Sequence, residues 1–214
     1  SENALKLLRV KNPNVPEAVR SAIFFEEEGE AGERYSAADR WLKLIEARGG
    51  SVDDTWVAMN EKEAEKFTSF RYAIPEAVNE IVKKSGFHKF STDIAVPGNR
   101  FLEMMKFYKD IFRDDGIRNV IFGHMGENHV HANALPASEP ELERAKSICL
   151  KFVRKGVSLG GTVSAEHGIG KIKHAYLREM YGDKGVSEMA MVKKAFDPAC
   201  ILGLDNIFPK ELLQ

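Results

Sequence analysis

The feature that most constrains this chain is a pair of short strand-like runs, Asn119–His124 and His129–Leu135, separated by Met125-Gly126-Glu127-Asn128. Runs of this length joined by so short a polar loop predict an antiparallel hairpin. Side chains alternate between faces along a strand, so His129, His131 and Asn133 share one face while Val130, Ala132 and Ala134 share the other. With a four-residue loop, His124 stands opposite His129 and diagonal to His131, near enough for two imidazoles to converge on one ion. Five of the six histidines fall between residues 124 and 174, and any account of the chain has to explain that clustering.

A single histidine on a sheet face is more often a hydrogen-bonded structural residue than a ligand. Three on one face, with a second histidine motif downstream, favour a site. Imidazole suits zinc, iron or manganese, and two histidines with one carboxylate are a common catalytic set that leaves a coordination position open. Spacing alone leaves open whether His129 or His131 is the second ligand. The downstream motif is Gly160-Gly161-Thr162-Val163-Ser164-Ala165-Glu166-His167-Gly168-Ile169-Gly170. Its glycines permit tight turns and close backbone approach. Glu166 and His167 between them offer a hard ligand and a general base; taken alone, the segment reads equally well as a glycine-rich surface loop. It is not a dinucleotide fingerprint, because no strand-to-helix Gly-x-Gly-x-x-Gly with a trailing acid follows.

The rest of the chain reads as mixed helix and strand. Residues 1–15 are polar and Asn/Pro-rich, which suggests a loose lead-in ahead of a domain over 16–214. Strands are expected at Arg20–Glu28, Asp54–Met59 and Thr92–Pro97. A helix is expected over 36–48 on the spacing of Ala38, Trp41, Leu42 and Ile45, and another over 61–85, interrupted near Pro75. Phe101, Met104, Met105, Tyr108, Ile111 and Phe112 form the apolar stripe of a further amphipathic helix. Leu142, Ala145, Ile148, Cys149 and Phe152 do the same for a helix over 139–157. Helices resume at Lys171–Tyr181 and Lys184–Phe196, and Asp197-Pro198 ends the last. Trp41 and Trp56 are expected in the core. This order predicts an α+β fold with a largely antiparallel sheet and helices packed on it.

Bulk properties exclude more than they assign. With 31 basic against 32 acidic residues the net charge is -1, which gives no electrostatic reason to expect nucleic acid or an anionic membrane surface. No apolar run approaches the roughly 18 residues of a transmembrane helix, and no secretory leader is legible at the N-terminus. Cys149 and Cys200 lack metal-ligand spacing and suggest no disulfide framework; a reducing, cytoplasmic setting is the default expectation. A homo-oligomer is compatible with all of this.

Taken together, the two histidine motifs resemble the C-terminal domain of the FAD-linked oxidases related to D-lactate dehydrogenase, glycolate oxidase and D-2-hydroxyglutarate dehydrogenase. Gly123–Asn133 matches a Gly-His-x-Gly-Asp-Gly-Asn-x-His-x-Asn stretch, and Ser164–Gly170 matches Ser-x-Glu-His-Gly-x-Gly. Lys193–Leu202 matches a closing Lys-x-x-Phe/Leu-Asp-Pro-x-x-Ile-Leu signature, Arg71–Ala77 an Arg-x-x-Ile-Pro-Glu-Ala stretch, and Thr92–Pro97 a strand ending in proline. The resemblance covers about residues 20–208. It implies a duplicated ferredoxin-like cap domain, with FAD held mainly by a separate flavin-binding domain that precedes this one and lies outside these 214 residues. It implies His124, His131 and Glu166 as metal ligands, with zinc the expected ion and manganese or iron as options. It implies His167 as the base, Arg71 and Asn133 as substrate-binding residues, and Lys89, more loosely aligned, as a third. No residue of this chain is assigned to the flavin.

The resemblance implies a small 2-hydroxy acid as substrate and oxidation to the 2-oxo acid, with electrons passing to FAD and on to an acceptor that could lie at a membrane. The chain alone would then be inactive. Two departures from the pattern stand out. Glu127-Asn128-His129 replaces Asp-Gly-Asn, so His129 is an extra imidazole, and Gly203-Leu204-Asp205-Asn206 replaces Asn-Pro-Gly after the final Ile-Leu. The competing reading is a stand-alone metal- and organic-acid-binding module without redox activity; a structural cap with a degenerate site is a third. A metallohydrolase fits less well, since no His-Glu-x-x-His or nucleophile-elbow motif occurs.

Overall fold

A computed structural model describes residues 1–29 and 31–213. The chain divides into two compact units, residues 1–80 and 81–214.

In the first unit, residues 2–11, expected as part of a loose lead-in, instead form helix α1 (Glu2–Lys11). Leu5 and Leu8, three apart, are buried with Val15 and Ala73, and Val19, Phe70 and Ile74 pack around them. Leu5 and Leu8 fall on one helix face, and a stripe this narrow suffices once a partner helix covers it. The Ser1 hydroxyl caps the helix by accepting from the Ala4 amide, and the Arg9 guanidinium holds the following loop through the carbonyls of Val15, Pro16, Glu17 and Val19.

Helix α2 (Arg34–Ala47) forms as the spacing predicts, but none of its residues is fully buried. Trp41 is half-buried against Phe25 and Trp56 is exposed, so neither is the core residue expected. Helix α3 (Glu61–Ser85) runs on through Pro75 rather than breaking there. Burial of Ala73, Ala77 and Val78 on both sides of the proline offsets the lost backbone hydrogen bond. The strands expected at Arg20–Glu28 and Asp54–Met59 do not form. Strand preference is a preference for a pleated, half-buried surface, and among the described residues neither segment has a neighbouring strand to supply one.

The second unit holds the sheet. Strand β4 (His129–Ala134) is central, paired antiparallel along one edge with β3 (Asn119–His124). Along its other edge run two short pieces, β1 (Phe90–Ser91) and β2 (Ile94–Ala95). The predicted hairpin is present, with His124 directly opposite His129. Its loop is a single 3-10 turn over Met125–Glu127 followed by Asn128 in the left-handed region, at φ 53°. The fold is therefore α+β with an antiparallel sheet. Among the described residues there is one four-stranded sheet, and no second sheet that would make a duplicated ferredoxin-like pair.

Helices α4 (Phe101–Asp115) and α5 (Glu139–Ser158) cover one face of this sheet. Their predicted stripes are the buried ones: Met104, Tyr108 and Phe112 from α4 meet Ile148, Phe152 and Val153 from α5, over Val130, Ala132 and Ala134 of β4. Phe152 takes the edge-to-face contacts, with ring centroids 4.7 Å from Tyr108 and 5.2 Å from Phe112. Cys149 lies in this layer, where burial pushes its thiol pKa up to about 12 and leaves it inert. Helix α6 (His174–Phe196) is broken at Gly182, which matches the expectation of two helical segments there. Among the described residues, no helix is long and apolar enough to cross a membrane.

One glycine decides how closely the hairpin strands pack. Gly123 has φ +150°, and a Cβ there would lie 2.7 Å from the Val130 Cα, 3.0 Å from the His129 carbonyl oxygen and 3.0 Å from the His131 nitrogen. Those are backbone atoms that cannot move aside. Gly123→Ala is expected to destabilise the protein by about 1–3 kcal/mol through overpacking. Gly126→Ala, in the open turn where a Cβ meets nothing within 4 Å, is expected to stay within about 0.5 kcal/mol. Chemical denaturation of the two variants side by side tests the contrast.

Candidate metal centre

The candidate centre is assembled from β3, β4, the gap between β1 and β2, and the loop after α5. The register on both sides of that gap is the same, so Thr92 and Asp93 sit where a continuous strand would pair with Ala132 and His131. What interrupts the ladder is the Thr92 side chain. Its hydroxyl accepts the Ala132 amide at 2.9 Å and donates to the Val130 carbonyl at 3.1 Å. The Thr92 carbonyl is thereby released to accept from His131 Nδ1, 3.1 Å away. With the proton on Nδ1, His131 presents its Nε2 lone pair, the orientation that a metal-ligating histidine requires.

The downstream motif docks beside β2. Gly161 makes the approach possible, since a Cβ there would lie 2.4 Å from the Ala95 carbonyl oxygen. The Thr162 amide donates to that oxygen at 2.9 Å, and the Ala165 amide donates to the Asp93 carbonyl at 2.8 Å. The Asp93 carboxylate then fixes the loop. Oδ1 accepts from the Glu166 amide at 3.1 Å; Oδ2 accepts from the His167 amide at 3.1 Å, the Ser164 hydroxyl at 2.6 Å and the Lys173 ammonium at 2.8 Å. Burial alone would raise the Asp93 pKa. The Lys173, Ser164 and Glu166 hydrogen bonds outweigh it and hold the carboxyl well below the usual range.

These contacts bring together four of the residues singled out in the sequence. His131 Nε2 and His167 Nε2 each lie 2.9 Å from Glu166 Oε1, and His124 Nε2 lies 3.5 Å from Glu166 Oε2. The ligand atoms of His124, His131 and Glu166 all fall within 4.8 Å of one another. Two imidazole nitrogens and one carboxylate, converging with one imidazole already pinned, make a donor set suited to a divalent transition metal. Glu166 is 37% exposed and His167 62% exposed, so the open side of the cluster is reachable by a small molecule.

His129, the extra imidazole, lies on the same face, its ring 4.6 Å from that of His131 and 5.8 Å from that of His124. Burial first, and then the charge of neighbouring His131, push its pKa down toward the neutral form. The strand alternation is correct, but the histidine face is not the solvated one that a polar strand face suggests: every residue of β4 is buried.

The other expected residues are less committed. Asn133 is fully buried, with its amide nitrogen donating to the carbonyls of Val120 and His131 and, among the described residues, no partner for Oδ1. Lys89 precedes β1, and burial lowers its pKa. Arg71 lies on α3 in the first unit, exposed, with its guanidinium 5.7 Å from the centroid of the Tyr72 ring. Sequence reasoning missed Thr92, Asp93 and Lys173. The available signal was Asp93 itself, a charged residue within a strand otherwise apolar, since a buried charge requires a partner.

The family described as "FAD linked oxidases, C-terminal domain" matches residues 4–204. The chain is 27% identical over 201 residues to "Glycolate oxidase subunit GlcD" of Bacillus subtilis, covering 92% of this chain and 41% of that protein. It is 33% identical over 119 residues to "D-lactate dehydrogenase [cytochrome], mitochondrial" of Kluyveromyces lactis, covering 56% of this chain and 20% of that protein. It is 27% identical over 214 residues to "Probable D-2-hydroxyglutarate dehydrogenase, mitochondrial" of Oryza sativa subsp. japonica, covering 98% and 36%. The chain thus spans well under half the length of these relatives.

Asp93→Asn should be costly because it leaves the Lys173 ammonium, itself largely buried, without its counter-charge. A loss of about 3–5 kcal/mol is expected for breaking a buried pair in this way. The contribution of a carboxyl with a depressed folded pKa is present above its unfolded value, about 3.9, and is lost as pH falls below it. Denaturation curves of wild type and variant should therefore differ fully at pH 7, begin to converge below about pH 4, and meet only as pH falls through the much lower folded pKa; a gap independent of pH would remove Asp93 as the source.

Proposed function

The chain belongs to the family of FAD linked oxidase C-terminal domains, and from that premise we propose that it is the substrate- and metal-binding part of an FAD-dependent 2-hydroxy-acid dehydrogenase. The observation that carries this reading is the convergence of His124, His131 and Glu166 beside His167. The substrate is a small 2-hydroxy acid of the kind named in the relatives, and the product is the 2-oxo acid. FAD, held by a separate domain of the same protein or complex, would supply the acceptor for the hydride that leaves the α-carbon.

His124 Nε2, His131 Nε2 and the Glu166 carboxylate would hold the metal, with zinc the first choice for this donor set and manganese or iron as alternatives. A divalent ion there supplies Lewis acidity; for bound water it lowers the pKa from 15.7 to about 7. His167 takes the hydroxyl proton. Its Nε2 is held by the same Glu166 oxygen that faces His131, and its largely exposed ring can meet a substrate. Asp93 acts behind both by holding the amides of Glu166 and His167. Asn133 and Lys89 are proposed to orient the substrate and Arg71 to hold its carboxylate, on the strength of the family motifs. The setting proposed is cytoplasmic, with any membrane association made through the electron acceptor.

In the intact protein, His124→Ala and His131→Ala should each lower bound metal to well below one equivalent, read by elemental analysis. His167→Ala should retain the metal while slowing flavin reduction by about 10²–10⁴-fold, the usual worth of a general base. Undiminished flavin reduction in that variant would remove the proposed base. Purification of the intact protein with metal but without FAD would favour the binding-module reading instead.

A further inference from the structure

We propose that Asp93 and His129, together with Glu166, form a second seat for a divalent transition-metal cation, so that the centre holds two ions with Glu166 between them. The inference rests, through the shared Glu166, on the assignment of the first ion to His124 and His131.

The leading observation is an unsatisfied buried group. The His129 side chain is 2% exposed, and among the described residues its Nε2 has no hydrogen-bond partner. A buried polar atom left in that state is destabilising. The nearest carboxylate oxygen, Asp93 Oδ1, is 3.3 Å away but lacks hydrogen-bonding alignment with it. In the tautomer with its proton on Nδ1, His129 sets an Nε2 lone pair beside Asp93 Oδ1, and two lone-pair donors side by side in a buried place are what a cation relieves.

The Asp93 carboxylate is loaded unevenly. Oδ2 takes the Lys173, Ser164 and His167 donors, whereas Oδ1 takes the Glu166 amide alone and keeps a lone pair on the side of His129. The ligand atoms of Asp93, His129 and Glu166 lie within 4.8 Å of one another, as do those of the first set. Glu166 belongs to both sets, and its two oxygens can serve two ions, which in two-metal sites stand about 3.5–4 Å apart. The imidazole nitrogen selects a transition ion over magnesium or calcium.

Lys173 works against this seat. Its ammonium lies 2.8 Å from Asp93 Oδ2, and repulsion makes the second ion the weaker of the two. The carboxylate of a bound hydroxy acid offsets part of the added charge. The second seat therefore fills after the first, at higher free metal concentration.

His129→Asn places at this position the residue of the matching motif, keeping a polar side chain while removing the imidazole. The intact protein and this variant are titrated with zinc in a metal buffer and their bound zinc is counted by elemental analysis; cobalt substitution, followed by visible absorption, reports each seat separately. Wild type is expected to take two ions per chain in two steps and His129→Asn one, in a single step. One ion in both proteins overturns the second seat and leaves the first. Two ions in both overturns the assignment to His129. No ion in wild type overturns this inference and the first metal assignment together.

Discussion

The centre depends on one buried carboxylate. Asp93 lies in the gap between β1 and β2, and from there it holds three successive elements of the loop that carries Glu166 and His167: the Ser164 hydroxyl and the amides of the two residues themselves. Without an anchor, a glycine-punctuated segment of this kind has no means of placing a carboxylate within 3 Å of an imidazole on a distant strand. Lys173 makes the anchor affordable by neutralising it in a site where an isolated charge would be untenable.

The same gap serves His131. Because the Thr92 hydroxyl takes over a ladder position from the main chain, the Thr92 carbonyl is free to hold Nδ1 of that histidine. Two neighbouring residues of one edge strand thus orient a candidate ligand from each side, His131 through its ring and Glu166 through its backbone. This arrangement fixes the geometry of the candidate ligands within the fold itself. His129, buried on the same face and without a hydrogen-bond partner among the described residues, is the residue that this arrangement leaves unexplained by a single ion.

Much of this was legible in the sequence. Periodicity located α4, α5 and the hairpin because their burial is one-sided and regular, and the helix-facing Val130, Ala132 and Ala134 are where alternation placed them. The paired motifs named His124, His131, Glu166 and His167 together. The first unit was read less well. The runs 20–28 and 54–59 have strand-like composition but, among the described residues, no strand beside them, and the apolar residues of α1 are not confined to one face: Leu5 and Leu8 are buried while Val10 is exposed.

The sequence by itself determined the fold class and the hairpin register, which follow from element order and local spacing (period two along a strand, four residues in a turn), and its motif resemblance singled out the candidate donors. Only the tertiary structure decided which histidine faces Glu166 at 2.9 Å, which carbonyl selects its tautomer, and that Asp93 and Lys173 belong to the centre. Those contacts join residues up to 80 positions apart. No local pattern encodes them, because they arise only when the loop after α5 is laid against the broken edge of the sheet.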